Sequence, residues 1–287
     1  LSTFINNIFI LLIILFGFKF KFFEQKKINL FKKIILISLI AYFFIIYSNV
    51  NRPDAFLYHL PYSKILTEDK IIIGLTNLHS RFGHISIYQY ISSIYVNSLF
   101  SSNGVLIPIS LVPSFFFVYC YRKFKSDFKN RNLRLNSYIV FLFLMISIYS
   151  FNRYSGWGND AQAHIYYFLS IIYFLDNKFK RNNLNTFNKL MLTSLFTFLI
   201  KPFYLISFLM PLVFFVLSKE KIKIIKSKVF IFLILFSSMW FLKNFLTSGC
   251  FIYPVNFSCI EKTSWYNESR TTNAAIEGEG WAKDWGN

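Results

Sequence analysis

The chain has 287 residues, of which 55% are hydrophobic, and it carries a formal net charge of +18 at pH 7. Its apolar residues form blocks separated by short basic runs, which excludes a soluble domain built around one shared core. The positive charge is divided among several loops, so it does not indicate a nucleic-acid-binding surface. The sequence contains no glycine-rich nucleotide-binding pattern and no Cys-x-x-Cys pair.

The apolar blocks predict an all-α, polytopic transmembrane bundle of about eight membrane helices. Each block is near the length of ~20 residues that crosses ~30 Å of hydrocarbon as a helix. The chain begins at Leu1 inside an apolar run and ends in a polar stretch, so we expect a fragment of a longer protein. The blocks span residues 3–18, 34–50, 104–121, 137–151, 163–175, 189–200, 203–218 and 229–247.

The basic residues predict the orientation of these helices. Lys and Arg concentrate in alternate loops, and loops of this kind stay in the cytoplasm. The remaining loops hold all four histidines and most of the acidic residues, so we place them outside the cytoplasm. The four basic runs lie within residues 19–33, 122–134, 178–189 and 219–228.

The predicted outer side consists of two loops and the C-terminal tail. Residues 84–100 of the first loop are half polar, which predicts an amphipathic helix at the outer face or a re-entrant element. Cys250 and Cys259 in the tail are able to pair if the compartment is oxidising. The membrane domain, its two outer loops and the outer tail span residues 1–247, 51–103, 152–162 and 248–287.

The first outer loop places ionisable side chains directly after a membrane helix. Pro53 suits the first turn of a new helix, because this turn leaves its N–H groups unpaired and proline has none. Asp54 then lies at the positive end of the helix dipole, which favours its ionised form. Asp54 and Tyr58 share a face with His59 beside them, which suits general-base work on a hydroxyl. A helix-capping aspartate with an interfacial Tyr/His belt explains the same residues, and both interpretations stay open.

The second outer loop carries a further acid and a further histidine. Asp160 and His164 are four residues apart on a predicted helix, so both can face one cavity and orient a substrate. They are also the candidates for a divalent metal, although two ligands alone do not define a metal site. The alternative is that Asn159 or Asp160 caps the helix and that His164 lies on its surface.

Several outer cations are candidate partners for a phosphate group. Lys201 interrupts an apolar region at a tight turn, and a charge near that depth indicates function because its desolvation is costly. The alternatives are a lysine that snorkels to the headgroups and arginines that anchor helix ends. The other outer cations near helix ends are Arg52, Arg81, Arg153 and Lys243.

Three stretches resemble a bacterial family of uncharacterised polytopic membrane proteins. Two of them, DAFLYHLPYSKIL at 54–66 and GLTNLHSRFGHIS at 74–86, lie in the first outer loop. The third, KNFLTSGCFIYP at 243–254 with Trp265 downstream, resembles a later loop of that family, in which Lys243 stands where the family has an Arg. The resemblance spans most of the chain.

That family is similar to the GT-C superfamily of multi-pass glycosyltransferases, which use a polyprenyl-phosphate sugar as donor. The resemblance implies a GT-C-like fold in the bacterial inner membrane, with a site that faces the periplasm or the exterior. It also implies that Asp54 is the essential acid of the first outer loop and Asp160 a second acid. The paired Asp-x-Asp of some GT-C enzymes is missing, so a requirement for Mg²⁺ or Mn²⁺ stays open.

We therefore expect transfer of a sugar from a polyprenyl-phosphate donor to an extracytoplasmic glycan or lipid acceptor. The candidate catalytic residues are Asp54, His59 and Asp160. The candidate substrate and lipid-phosphate ligands are Tyr58, Arg81, Arg153, His164 and Lys201.

Three other functions fit parts of the sequence. A surface-polysaccharide polymerase or ligase would share the cationic outer loops without needing Asp54 as a base. A lipid-linked glycan transporter or flippase would place ionisable residues near mid-membrane and show related halves, neither of which is visible here. A non-catalytic subunit of an envelope complex is the third.

The charge alternation predicts the outcome of reporter fusions. Fusions in the basic loops should report the cytoplasm, and fusions in the outer loops should report the opposite side, because basic loops are retained inside. A cytoplasmic signal from the fusion at Glu68 would contradict the outer location of the candidate site. The fusion points are Lys27, Lys129, Lys180 and Lys223 for the inside, and Glu68, Gly156 and Asn267 for the outside.

Overall fold

The computed structural model describes residues 25–48, 53–69, 71–151, 157–177 and 184–283, and this part of the chain is all-α. The predicted apolar block 3–18 and the cations Arg52 and Arg153 lie outside it. The α-helices, numbered in chain order, are α1 Gln25–Ile46, α2 Leu60–Glu68, α3 Ile87–Ser93, α4 Leu106–Lys129, α5 Leu135–Tyr149, α6 Asp160–Asn177, α7 Leu184–Ile200, α8 Leu209–Leu217, α9 Lys221–Ile225, α10 Lys228–Ser248 and α11 Glu268–Lys283.

Each apolar block that falls within the described residues coincides with a helix. Three helical segments are long and apolar enough to cross a membrane, namely Ile28–Ile46, Ser102–Lys129 and Lys228–Ser248. Two further apolar helical segments, Leu135–Tyr149 and Pro202–Leu217, are shorter. These lengths and compositions are those of a membrane protein, since a lipid-facing backbone must satisfy its hydrogen bonds within its own helix.

The half-polar segment 84–100 contains a shorter helix than the sequence predicted. α3 has seven residues, which rise about 10 Å and cannot cross a bilayer. The side-chain oxygen of Asn97 accepts hydrogen bonds from the backbone N–H groups of Leu99 and Phe100, at 3.0 and 3.1 Å. α3 has already ended at Ser93, and these bonds hold a separate turn that begins at Asn97.

Backbone packing divides the chain into two compact units. Unit 1 takes its described residues from 1–67 and 89–168, and unit 2 takes them from 68–88 and 169–287.

In unit 1, α4 packs against both α1 and α5. At the contact with α1, the hydroxyls of Ser38 and Ser110 are 3.0 Å apart and buried. Small side chains of this kind let two membrane helices approach closely. At the other end of α4, the Ser137 hydroxyl donates to the Asp127 carboxylate at 2.7 Å, which fixes the turn into α5.

In unit 2, α7 and α8 form a helical hairpin with Lys201 at its tip. Lys201 is extended, and a 3₁₀ helix over Pro202–Phe208 leads the chain back into α8. The hydroxyl of Ser194 donates to the backbone carbonyl of Ser207 at 2.9 Å. In return, the hydroxyl of Ser207 donates to the backbone carbonyl of Ser194 at 3.1 Å. Both serines are fully buried, so these reciprocal bonds hold the arms of the hairpin together.

We predict that Ser194→Leu destabilises this hairpin by about 1–3 kcal/mol, because a large side chain overfills a closed helix contact. Thermal unfolding of the purified protein in detergent measures the effect. The control is Ser238→Leu, since Ser238 is exposed on α10. Equal unfolding midpoints for the two variants would contradict the role of the serine pair.

Candidate functional site

The first outer loop enters unit 1 as a helix with an unusual turn. Pro53 and Asp54 are helical, and a π-helical turn follows over Ala55–His59, closed by the Leu60 N–H donating to the Ala55 carbonyl. The Asp54 side chain is exposed and makes no capping hydrogen bond. A π-turn re-aims the side chains on either side of it and is frequent at functional sites. Asp54 is therefore a carboxylate presented to its surroundings, without the capping role.

His59 connects this turn to the second outer loop. The histidine is buried, its ring centroid lies 4.2 Å from that of Tyr58, and its carbonyl accepts the Ser63 hydroxyl at 2.9 Å. A methyl group added to Gly158 would lie 3.1 Å from Nε2 of His59. The absence of a side chain at Gly158 thus lets its backbone approach the imidazole closely. The turn that carries His59 and the segment before α6 therefore meet at this contact.

Asp160 and His164 lie on α6, directly after this contact. Asp160 is the first residue of the helix, and both side chains are partly buried. The His164 ring lies 6.5 Å from that of Phe168. Among the described residues, no group of three or more His, Cys, Asp or Glu side chains is arranged to hold a metal ion.

Unit 2 brings together two of the sequence stretches noted above, Gly74–Ser86 and the region from the end of α10 onward. The Gly74 N–H donates to the Leu246 carbonyl at 2.9 Å, and the Thr76 hydroxyl donates to the Thr247 carbonyl at 3.2 Å. Asn77 reaches the backbone carbonyl of Trp265 at 2.9 Å. The 74–86 segment is therefore fastened to the C-terminal end of α10 and to the tail beyond it.

Glycine is required where these two stretches meet. Gly74 has a φ of 70°, a left-handed conformation that L side chains rarely adopt. A methyl group on it would also lie 2.9 Å from Cβ of Trp265. Both constraints explain why a residue without a side chain starts the segment.

A 3₁₀ turn over Ser80–Gly83 presents Arg81 and His84. His84 directly follows the turn, and its N–H donates to the Arg81 carbonyl at 3.2 Å. Nη2 of Arg81 is 3.3 Å from Oε2 of Glu277 on α11, and both side chains are partly exposed. Arg81 is thereby held at the surface of unit 2.

His84 is neutral at physiological pH. Burial lowers its pKa to about 4, and the positive charges of Arg81 and Lys201 act in the same direction. Part of the residue nevertheless remains accessible to solvent. A neutral imidazole offers one donor and one acceptor.

Lys201, at the tip of the α7–α8 hairpin, is partly buried. It is close enough to His84 for its positive charge to lower the pKa of that histidine. The positive charges of Arg81 and Lys201 therefore both act on one neutral, accessible histidine. Such an arrangement favours an anion with several acceptor oxygens, of which phosphate is the common biological example. We call Arg81, His84 and Lys201 the cationic cluster.

Tyr253 forms one wall of the cationic cluster. Its ring meets that of His84 edge-on, with centroids 5.4 Å apart, and it is buried. Burial raises the pKa of Tyr253 to about 12, helped by the nearby Glu277 carboxylate. The phenol therefore stays protonated and uncharged.

The predicted site residues fall into two groups. Unit 1 holds Asp54, Tyr58, His59, Asp160 and His164, and unit 2 holds Arg81 and Lys201. Within unit 1, the segment that carries Asp54, Tyr58 and His59 meets the segment that carries Asp160 and His164. They meet at the contact between His59 and Gly158. Arg153 lies outside the described residues.

Residues 1–284 match the family described as Domain of unknown function (DUF8201). The chain belongs to this family. No curated protein and no solved structure matches the chain. The family description names no substrate, so a function for this DUF8201 protein has to be argued from its residues.

Sequence reasoning gave no role to His84, Tyr253 or Glu277, although the first two lie in the stretches that carry the resemblance. Only the resemblance of those stretches to the bacterial family draws attention to His84 and Tyr253. Glu277 lies on α11 in the tail, and no local pattern indicates that it pairs with Arg81.

Gly83 provides a test of this arrangement. A methyl group there would lie 2.5 Å from Cδ1 of Tyr253 and 2.7 Å from Cγ2 of Thr76. We predict that Gly83→Ala destabilises unit 2 by about 1–3 kcal/mol through overpacking. Denaturant unfolding in detergent micelles measures the change.

The matched control is Gly278→Ala on α11, where no atom lies within 4 Å of the added methyl group. This substitution should stabilise the protein slightly, by up to about 1 kcal/mol, since alanine favours helix over glycine. A Gly83→Ala variant as stable as the control would show that the Tyr253 contact is not close.

Proposed function

We propose that the protein is a membrane glycosyltransferase that moves a sugar from a polyprenyl-phosphate donor to an acceptor outside the cytoplasm. The observation that carries the proposal is the cationic cluster, in which the charges of Arg81 and Lys201 both act on His84. A phosphate at the membrane surface suits two cations and a neutral donor. The resemblance of the outer loops to GT-C-like proteins, and helices of membrane-spanning length, support the same proposal.

The transfer needs a base for the acceptor hydroxyl and partners for the phosphate that leaves. The acceptor hydroxyl gives its proton to a base, its oxygen bonds to the anomeric carbon, and the bond from that carbon to the phosphate oxygen breaks. The lipid phosphate leaves with one more negative charge than it had in the donor. Asp54 is the base in this proposal, and Arg81 and Lys201 stabilise the charge that develops on the phosphate.

Three features of Asp54 support its role as the base. Its side chain is exposed, so an acceptor can reach it. No helix-capping hydrogen bond occupies the carboxylate. It precedes a π-turn whose His59 is packed against Gly158, so polar groups lie close in sequence and in space. His59 and Asp160 are the neighbouring catalytic candidates, while Tyr58 and His164 are candidate sugar contacts.

Asp54→Asn tests the proposed base. The substitution keeps the size of the side chain and removes its basicity, so we expect glycan transfer to fall by about 10²–10⁴-fold, the usual range for general-base loss. Transfer from a synthetic polyprenyl-phosphate sugar to an endogenous acceptor is measured in membranes containing the full-length protein. Folding should be unaffected, because the side chain is exposed.

Asp69→Asn is the matched control, since Asp69 is an exposed aspartate of the same outer loop. Wild-type transfer by a normally inserted Asp54→Asn protein would remove the base and with it the main catalytic element of the proposal. Reduced transfer in both variants would point to loop charge instead of a base at Asp54.

A further inference from the structure

The chain directly after α10 forms a closed loop. A disulfide joins Cys250 to Cys259, the pairing that the sequence allowed. Inside it, the Phe251 N–H donates to the Ser258 carbonyl at 3.0 Å, and the Ser258 hydroxyl accepts from the Ile252 N–H at 3.0 Å. The disulfide and these two hydrogen bonds fix the shape of this segment, which we call the Cys250–Cys259 loop.

The two sides of this loop differ sharply. Tyr253 points inward, is 4% exposed and packs on His84 of the cationic cluster. Phe257 points outward, in the 3₁₀ turn Asn256–Ser258, and is 94% exposed. Phe251 and Ile260 beside it expose 41% and 42% of their surfaces. One short, cross-linked loop therefore borders the cluster and offers an apolar tip.

The bilayer is the occupant that the surroundings of Phe257 indicate. The loop begins two residues after α10 ends at Ser248, and α10 is one of the helices long and apolar enough to span. Large apolar side chains such as Met239 and Leu242 point outward from α10, with 71% and 55% of their surfaces exposed. Lipid that covers these side chains continues to the end of the helix, where aromatic residues anchor membrane proteins.

We propose that the Cys250–Cys259 loop inserts Phe257 into the boundary between headgroups and acyl chains and so holds the cationic cluster at the level of lipid phosphates. The phosphate bound by Arg81 and Lys201 then belongs to a lipid in the membrane and not to a free anion in solution. The insertion of Phe257 does not depend on the proposed function, whereas the identity of the bound phosphate rests on it. Tyr253 links the two parts, because it belongs to the inserted loop and touches His84.

Fluorescence tests the insertion directly. A genetically encoded, environment-sensitive fluorescent amino acid replaces Phe257 in the full chain, which is reconstituted in nanodiscs of phosphatidylcholine and phosphatidylglycerol. This replacement adds no cysteine that would compete with the disulfide. The control position is Asn273, an exposed polar residue of α11 in the same unit.

We expect blue-shifted emission at position 257 and quenching by lipids that carry a nitroxide near the headgroup. The probe at position 273 should emit as in water and resist quenching. Water-like, unquenched emission at position 257 would overturn the insertion, as would equal quenching at both positions.

A binding measurement tests the source of the phosphate. Thermophoresis of the nanodisc-embedded protein gives its affinity for a short-chain polyprenyl phosphate. Arg81→Gln and Lys201→Gln should each weaken binding by about tenfold, the loss expected for one charge-assisted contact. Lys262→Gln should bind as wild type, because Lys262 is an exposed cation of the tail outside the cluster.

Inorganic phosphate separates the two sources of the anion. We expect no competition from inorganic phosphate at concentrations well above that of the lipid. Displacement at equal concentration would overturn the lipid source. Water-like emission at position 257 in a protein that transfers sugar would contradict the insertion and leave the proposed function standing. Insertion of Phe257 in a wild-type protein that transfers no sugar would contradict the proposed function and leave the insertion standing.

Discussion

The close approach of Tyr253 to Gly83 is the contact on which the cationic cluster depends. Any side chain at Gly83 would collide with the tyrosine ring, so the 74–86 segment lies against the tail only because this position is glycine. That approach sets the ring of Tyr253 against His84 and fixes the turn that carries Arg81. A shift of the backbone at Gly83 would therefore move Tyr253 away from His84 and displace the turn that carries Arg81.

The cations of the cluster avoid full burial. Arg81 is paired with Glu277 at the surface, and both remain partly exposed, which limits the cost of desolvation. His84 contributes no charge at neutral pH, so it adds hydrogen bonding without adding repulsion between the cations. A phosphate that enters would meet positive charge and a neutral donor together.

Much of the helical architecture was predictable. Apolar blocks such as 104–121 and 229–247 coincide with α4 and α10, and the break at Lys201 appears as the tip of a hairpin. Loop chemistry was less predictable. Asn97 holds a turn with its own side chain beyond the end of α3, and the extra residue of the π-turn before α2 left no mark in the apolar pattern. Such local competition between hydrogen bonds does not change hydrophobic periodicity, which is the main signal that a sequence offers.

The sequence by itself determined that this chain is helical and that it carries apolar helices of membrane-spanning length. An apolar block in a bilayer has no water with which to bond its backbone, so it becomes a helix whatever its neighbours are. Candidates such as Asp54 and Lys201 were visible because charge stands out beside apolar blocks. Only the tertiary structure decided their partners. Thr76 bonds to a residue 171 positions away, and contacts at that distance depend on how separate helices end and pack, which no local pattern records.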